Sequence, residues 1–192
     1  MDYSPKEFWE TRREGRGSDN AVWHNDFVSF LLNNNCKTVL EIGCGTGVNL
    51  AFAKLKIPNI ECTGFDLSKY HIDLGKEKYN NIKLKTSAIK DVLPNLEDNS
   101  FNCILCAGIL MHVLPDKISF VINEIKRISS NCIFLFEQDL FFEYGLRHPN
   151  NFVFFHNYER LFKELNLSFK KEYERKYFVF NFLKENPVVY KK

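Results

Sequence analysis

Apolar and polar positions change their period several times along the chain, and each change marks an element. From Lys37 an apolar run near 37 to 42 gives way to a helical pattern from about 47, a strand near 60 to 65, a helix near 69 to 79 and a strand near 82 to 86. Strand and helix in strict alternation predict right-handed crossovers and a parallel sheet covered on both faces. A fourth strand ends at Ala107. Ile118, Val121, Ile122 and Ile125 then share one face of a helix near 116 to 128, with Asp116 available as its N-cap. Residues 132 to 136 are apolar throughout, as suits a buried central strand. A helix over Tyr158 to Leu165 follows, then strands near 167 to 173 and 176 to 183 whose short connection predicts an antiparallel hairpin.

The two remaining stretches hold no period for long. Residues 1 to 35 begin polar and irregular, with Phe8, Trp9, Arg12, Arg13, Gly15 and Gly17, and the second half, with Trp23 and the apolar run Phe27 to Leu32, reads as a helix packed on the sheet. Residues 139 to 155 carry Phe141, Phe142, Tyr144, His148, Phe152, Phe154 and Phe155, and so many rings outside a periodic element predict a long loop over a site.

Between the first strand and the first helix of the alternating region lies the chain's densest chemistry, Glu41-Ile-Gly43-Cys-Gly45-Thr-Gly47. Glycines permit a sharp turn and let a ligand approach the main chain. The dinucleotide-binding fingerprint places its third glycine one position later, where this chain has Val48. Glu41 would repel a pyrophosphate and attract a cation. Asp66 follows the turn by roughly twenty residues, the distance at which a doubly wound fold brings an acid to ribose hydroxyls. Its alternative duty is an N-cap, for which Ser68 is better placed. Glu41, Asp66, Ser87 and Cys106 all fall at or near carboxyl ends of strands, so the fold can bring them to one crevice.

The acid followed by Gly-x-Gly-x-Gly, together with Gly-Phe-Asp66-Leu-Ser and Ile109-Leu-Met-His112 after the fourth strand, resembles the class I S-adenosylmethionine-dependent methyltransferases over roughly residues 36 to 137. The resemblance implies a doubly wound seven-stranded, mostly parallel sheet with an antiparallel last strand and helices on both faces, in one domain over 1–192. It implies S-adenosylmethionine as cofactor and S-adenosylhomocysteine as product. The cofactor residues it points to are Glu41, Gly43, Gly45, Asn49, Asp66, Leu67, Ser87, Ala88, Ile89, Cys106, Ala107 and Met111, with Trp9 in an N-terminal lid. Trp9 and Trp23 either cover the methionine end of the cofactor or anchor the lid to the core. Thr86-Ser87-Ala88 departs from the Gly-Asp-Ala that similar enzymes often carry, so the charged acceptor for the adenine amino group is missing, and apolar cover from Ile89 and Leu67 takes on more of the recognition.

Composition narrows the reading further. Lys and Arg number 26 against 24 Asp and Glu, so no broad basic footprint points to a nucleic-acid partner. No apolar run approaches membrane-spanning length and no leader is visible, which suits a cytoplasmic protein with no membrane partner. Of six cysteines, Cys103 and Cys106 form a Cys-x-x-Cys, but on a strand side chains three apart face opposite ways. Free buried thiols and no metal are expected.

Methyl transfer from a sulfonium needs positioning more than activation, with a general base when the nucleophile starts protonated. His112, Glu137 and His156 are the catalytic candidates, with Asp139 and His148 behind them. Ala-Gly-Ile-Leu at 107 to 110 lacks the Asn-Pro-Pro-Tyr or Asp-Pro-Pro-Tyr of amine-modifying enzymes acting on bases or glutamine, and no Pro-Cys nucleophile is present. The expected reaction is therefore methylation of a small molecule at oxygen or nitrogen. A protein or RNA methyltransferase is the alternative. A nicotinamide-dependent oxidoreductase and a non-catalytic cofactor-fold module are more distant ones. The sequence leaves the oligomeric state open.

Overall fold

The protein is described from a computed structural model covering residues 5–11, 23–138, 153–164, 168–174 and 177–183. Residues 12 to 22, which hold most of the expected lid, and 139 to 152, most of the expected aromatic loop with Asp139 and His148, lie outside the described residues. The chain divides into two compact units, residues 1–96 and 97–192.

The first unit contains helix α1 (Pro5–Thr11), helix α2 (His24–Asn33), strand β1 (Thr38–Ile42), helix α3 (Val48–Lys56), strand β2 (Glu61–Asp66), helix α4 (Lys69–Lys78), strand β3 (Lys83–Thr86) and the single turn α5 (Ile89–Val92). β2 pairs in parallel with β1 on one side and with β3 on the other. Val39, Leu40 and Ile42 of β1 are buried, which is what a strand inside a parallel sheet requires. Glu41 shares that burial and is the anomaly to be explained. α3 buries Val48, Leu50 and Ala53 and ends in Lys54 and Lys56, cations where the helix dipole favours them. Ser68 caps α4 by accepting from the N–H of His71, as its position two residues past Asp66 suggests.

The second unit contains β4 (Phe101–Ala107), α6 (Ile118–Ile128), β5 (Ser129–Gln138), α7 (Tyr158–Glu164), β6 (Ser168–Glu174) and β7 (Tyr177–Leu183). β4 and β5 run parallel, so five strands in all have a parallel partner within their units. β7 pairs antiparallel with both β5 and β6. α6 buries Ile118, Val121, Ile122, Ile125 and Ile128, the stripe its periodicity predicts. Its N-cap corrects the sequence reading: the cap residue is Lys117, with no side-chain cap bond, and Asp116 pairs with the Lys117 ammonium at 3.0 Å instead. The helix starts one residue later than an Asp116 cap would set, because the backbone turns through Leu114 to Lys117 first. Among the described residues no helix is long and apolar enough to cross a membrane.

Candidate functional site

After β1 the backbone turns through Gly43, Gly45 and Gly47 at φ of 69, 55 and 80°, left-handed values that favour glycine. The turn is held from inside the protein. The N–H groups of Gly43 and Cys44 both donate to the Phe65 carbonyl, at 2.9 and 3.0 Å, and that of Gly47 donates to the Cys44 carbonyl at 2.8 Å. The N–H of Gly45 donates to Asp66 Oδ2 at 2.8 Å. Four donors of the kind that cradle a pyrophosphate are therefore engaged by the protein itself. Gly75 in α4 was missed in the sequence; a β-carbon there would lie 2.3 Å from the Thr46 carbonyl oxygen, so its absence is what lets α4 pack against the turn.

Glu41 is 1% exposed, and its two oxygens differ. Oε1 accepts from Asn49 Nδ2 at 2.6 Å, whereas Oε2 is buried with no hydrogen-bond partner. Burial pushes its carboxyl up to about 8, against the pull of the Asn49 bond, and the nearby Asp66 charge adds to the rise. Asn49, in the first turn of α3, also accepts through Oδ1 from the Nε2 of His24 at 2.8 Å. His24 is buried between Trp23 and Phe52, with ring centroids at 4.8 and 4.7 Å. A histidine on the inner face of an amphipathic helix reads as core in a sequence, and nothing in the sequence signals its link to a residue 25 positions away.

Asp66 is half-buried and doubly bonded: Oδ1 accepts from the N–H of Ser68 at 2.8 Å and Oδ2 from Gly45. Each oxygen keeps a second lone pair for a hydroxyl. Leu67, Ser87, Ala88 and Ile89 are also half-buried, and the Ser87 N–H donates to the Asp66 carbonyl at 2.9 Å. Of the two tryptophans, Trp23 is buried against His24 and Phe27. Trp9 is half-buried and packs edge-on against Phe8 at 5.0 Å.

In the second unit β4 ends at Ala107, and a 3-10 turn over Leu110–His112 follows. Glu137, a fully buried carboxylate at the end of β5, accepts from the N–H of Ile109 and Leu110 through Oε1 at 2.9 and 2.8 Å, and from Met111 through Oε2 at 3.4 Å. Burial raises its carboxyl to about 7, and these three donors keep it below the value reached by Glu41. From the other side the Phe154 N–H donates to the Met111 carbonyl at 2.7 Å, and buried His156 donates from Nε2 to the Val113 carbonyl at 2.9 Å. Burial lowers the His156 pKa, with the Val113 and Leu110 carbonyls opposing. As placed, Glu137 and His156 hold the turn that carries Met111 and His112, both half-buried. Cys106 is fully buried, as are Cys103 and Cys132, and Ala107 is half-buried. Among the described residues no group of three or more His, Cys, Asp or Glu is placed to hold a metal ion.

Comparison with known proteins agrees with this geometry. Residues 39–131 match a family model described as a methyltransferase domain. Two uncharacterized proteins of Rickettsia prowazekii are 34% and 32% identical over 93 and 101 residues, 45% and 50% of this chain; the matches span 37% and 18% of their own lengths. A SAM-dependent methyltransferase from Aquifex aeolicus superposes with a TM-score of 0.66 at 17% identity, over 95% of this chain and 99% of its own. A magnesium protoporphyrin IX methyltransferase from Synechocystis with bound SAH gives 0.67 at 15% identity, over 94% and 95%. The resemblance to class I methyltransferases is borne out, and the family uses S-adenosylmethionine. The residues present fit that cofactor: a buried, open carboxylate oxygen suits its ammonium, and the left-handed glycine turn leaves no anion cradle at the four engaged amides.

Proposed function

Starting from the match of residues 39–131 to a methyltransferase domain, we propose that this chain transfers a methyl group from S-adenosylmethionine to an oxygen or nitrogen of a small molecule. The observation that carries the cofactor reading is Glu41 Oε2, a buried acceptor with no partner beside the glycine turn. An ionised carboxylate there is costly in the empty protein and is matched by a cation. The architecture that goes with this reading is the seven-stranded sheet with an antiparallel last strand.

When bound, the cofactor supplies an electrophilic methyl on a sulfonium. Glu41 holds the ammonium end, Asp66 accepts from the ribose hydroxyls, and Leu67 and Ile89 give the adenine apolar cover with Ser87 and Ala88 at its edge. In this reading Met111 and His112, on the 3-10 turn after β4, would serve the methyl acceptor. His112 orients the acceptor or takes its proton, a role open to it only while neutral. Glu137 and His156 act in this reading by keeping that turn rigid.

A small acceptor is favoured by the near balance of basic and acidic residues, 26 against 24, which offers no broad cationic face to RNA. The test is incubation of the protein with methyl-labelled S-adenosylmethionine and extracts separated into small-molecule, RNA and protein fractions. Label in the small-molecule fraction is expected. Label confined to protein or RNA would replace this reading with the macromolecular one.

A further inference from the structure

His24, Asn49 and Glu41 form a buried chain of hydrogen bonds that neither the glycine turn nor the sheet requires. Glu41 receives Asn49 Nδ2 on one oxygen only. A carboxylate only accepts and so favours the NH2 of Asn49, but that preference alone does not fix the rotation of the amide or the place of the oxygen it meets. The second contact decides: Asn49 Oδ1 faces His24 Nε2 at 2.8 Å, and a proton on that nitrogen locks the amide with its NH2 toward Glu41. The ring is itself fixed, 1% exposed and packed against Phe52 and Trp23. Both ends of the chain are open: His24 Nδ1 and Glu41 Oε2 are buried atoms without a hydrogen-bond partner.

We propose that His24 is a positioning residue for cofactor binding, acting through the Asn49 amide to fix the Glu41 carboxylate with Oε2 free for the ammonium group of the cofactor. The proposal rests on the cofactor reading above. Without the ring N–H the Asn49 amide loses the contact that holds its far end, its NH2 is free to swing away from Glu41, and the carboxylate loses the one bond that sets its direction. The effect belongs to the amino-acid end of the ligand alone, since the nucleoside end is served by Asp66 and the residues after β3.

Two probes separate the ends. S-adenosylhomocysteine carries the ammonium, whereas 5′-methylthioadenosine keeps the thioether and nucleoside and has no amino acid. Calorimetry on the full chain with His24→Phe, which keeps a flat ring between Phe52 and Trp23, is expected to weaken S-adenosylhomocysteine about tenfold and leave methylthioadenosine within about twofold. His24→Gln, which restores an N–H near the Nε2 position, is expected to recover most of the loss. Asn49→Leu removes the donor to Glu41 without adding a charge or touching the His24 ring stack, and should lower the preference for S-adenosylhomocysteine over methylthioadenosine even where His24→Phe does not fold. An unchanged preference in the Asn49 variant, or equal losses for both ligands in His24→Phe, would overturn the positioning role. Failure of the wild-type chain to bind S-adenosylhomocysteine at all is a different result and would remove the cofactor reading itself.

Discussion

At the scale of single residues, the two buried carboxyls show how local donors decide a charge state. Glu137 has three backbone donors and rises to about 7, while Glu41 has one side-chain donor and rises to about 8. In both cases the folded value lies above the unfolded one, 4.5, so between the two the folded state holds more protons and stability falls as pH rises. Above about 7 the Glu137 contribution is nearly complete, and the slope from there to about 8 belongs to Glu41. Urea denaturation of the ligand-free protein should therefore give lower stability at pH 8 than at pH 6, and Glu41→Gln should flatten the upper part of that fall. A slope unchanged by Glu41→Gln would mean that its carboxyl is ionised throughout. Asp66 was legible in the sequence as ribose ligand or cap, as though the two excluded each other. The structure gives it two backbone N–H bonds and leaves lone pairs over, so Asp66→Ala should cost on the order of 1–3 kcal/mol of stability as well as weakening S-adenosylhomocysteine. Full affinity in that variant would remove the ribose role.

At the scale of elements, alternation in the hydrophobic pattern gave away the strands and helices because burial is dictated locally, by which residues must face a sheet. Uses of polar groups were harder to see. Glu137 stands at a strand's carboxyl end, where a catalytic acid is expected, yet it holds the turn over Ile109 to Met111 from 26 to 28 residues away. Glu137→Gln separates the two roles. A carboxamide has one acceptor oxygen and brings an NH2 against a backbone donor, so it should cost about 1–3 kcal/mol at pH 7 by leaving a buried N–H unmet. A general base would instead lose turnover with stability intact, and that outcome would return Glu137 to the chemistry. Gly75 was equally silent, since its partner is a carbonyl of the glycine turn. Gly75→Ala should shift Thr46 or α4, at about 1–3 kcal/mol, and weaken cofactor binding with it. Unchanged stability in a melting curve would mean that the close packing relaxes at no cost.

At the scale of the whole molecule, a ligand that binds only the folded chain must stabilise all of it. S-adenosylhomocysteine at a hundredfold excess over its Kd should add about 2.7 kcal/mol, which for a chain of this size raises the melting midpoint by roughly 5–10 °C. NAD should add nothing, because the amides that would bind its pyrophosphate are engaged by Phe65, Asp66 and Cys44. The shift should also depend on pH with a definite sign. The ammonium needs Glu41 ionised, so below about 8 binding must expel a proton, and affinity should climb by up to about tenfold per pH unit from pH 6 toward that value. Glu41→Gln should weaken binding and remove the climb together. Calorimetry in buffers of different ionisation enthalpy reads the released proton directly. Binding at pH 7 without proton release, or a midpoint raised by NAD and not by S-adenosylhomocysteine, would show that Glu41 is not the seat of the cofactor's charge.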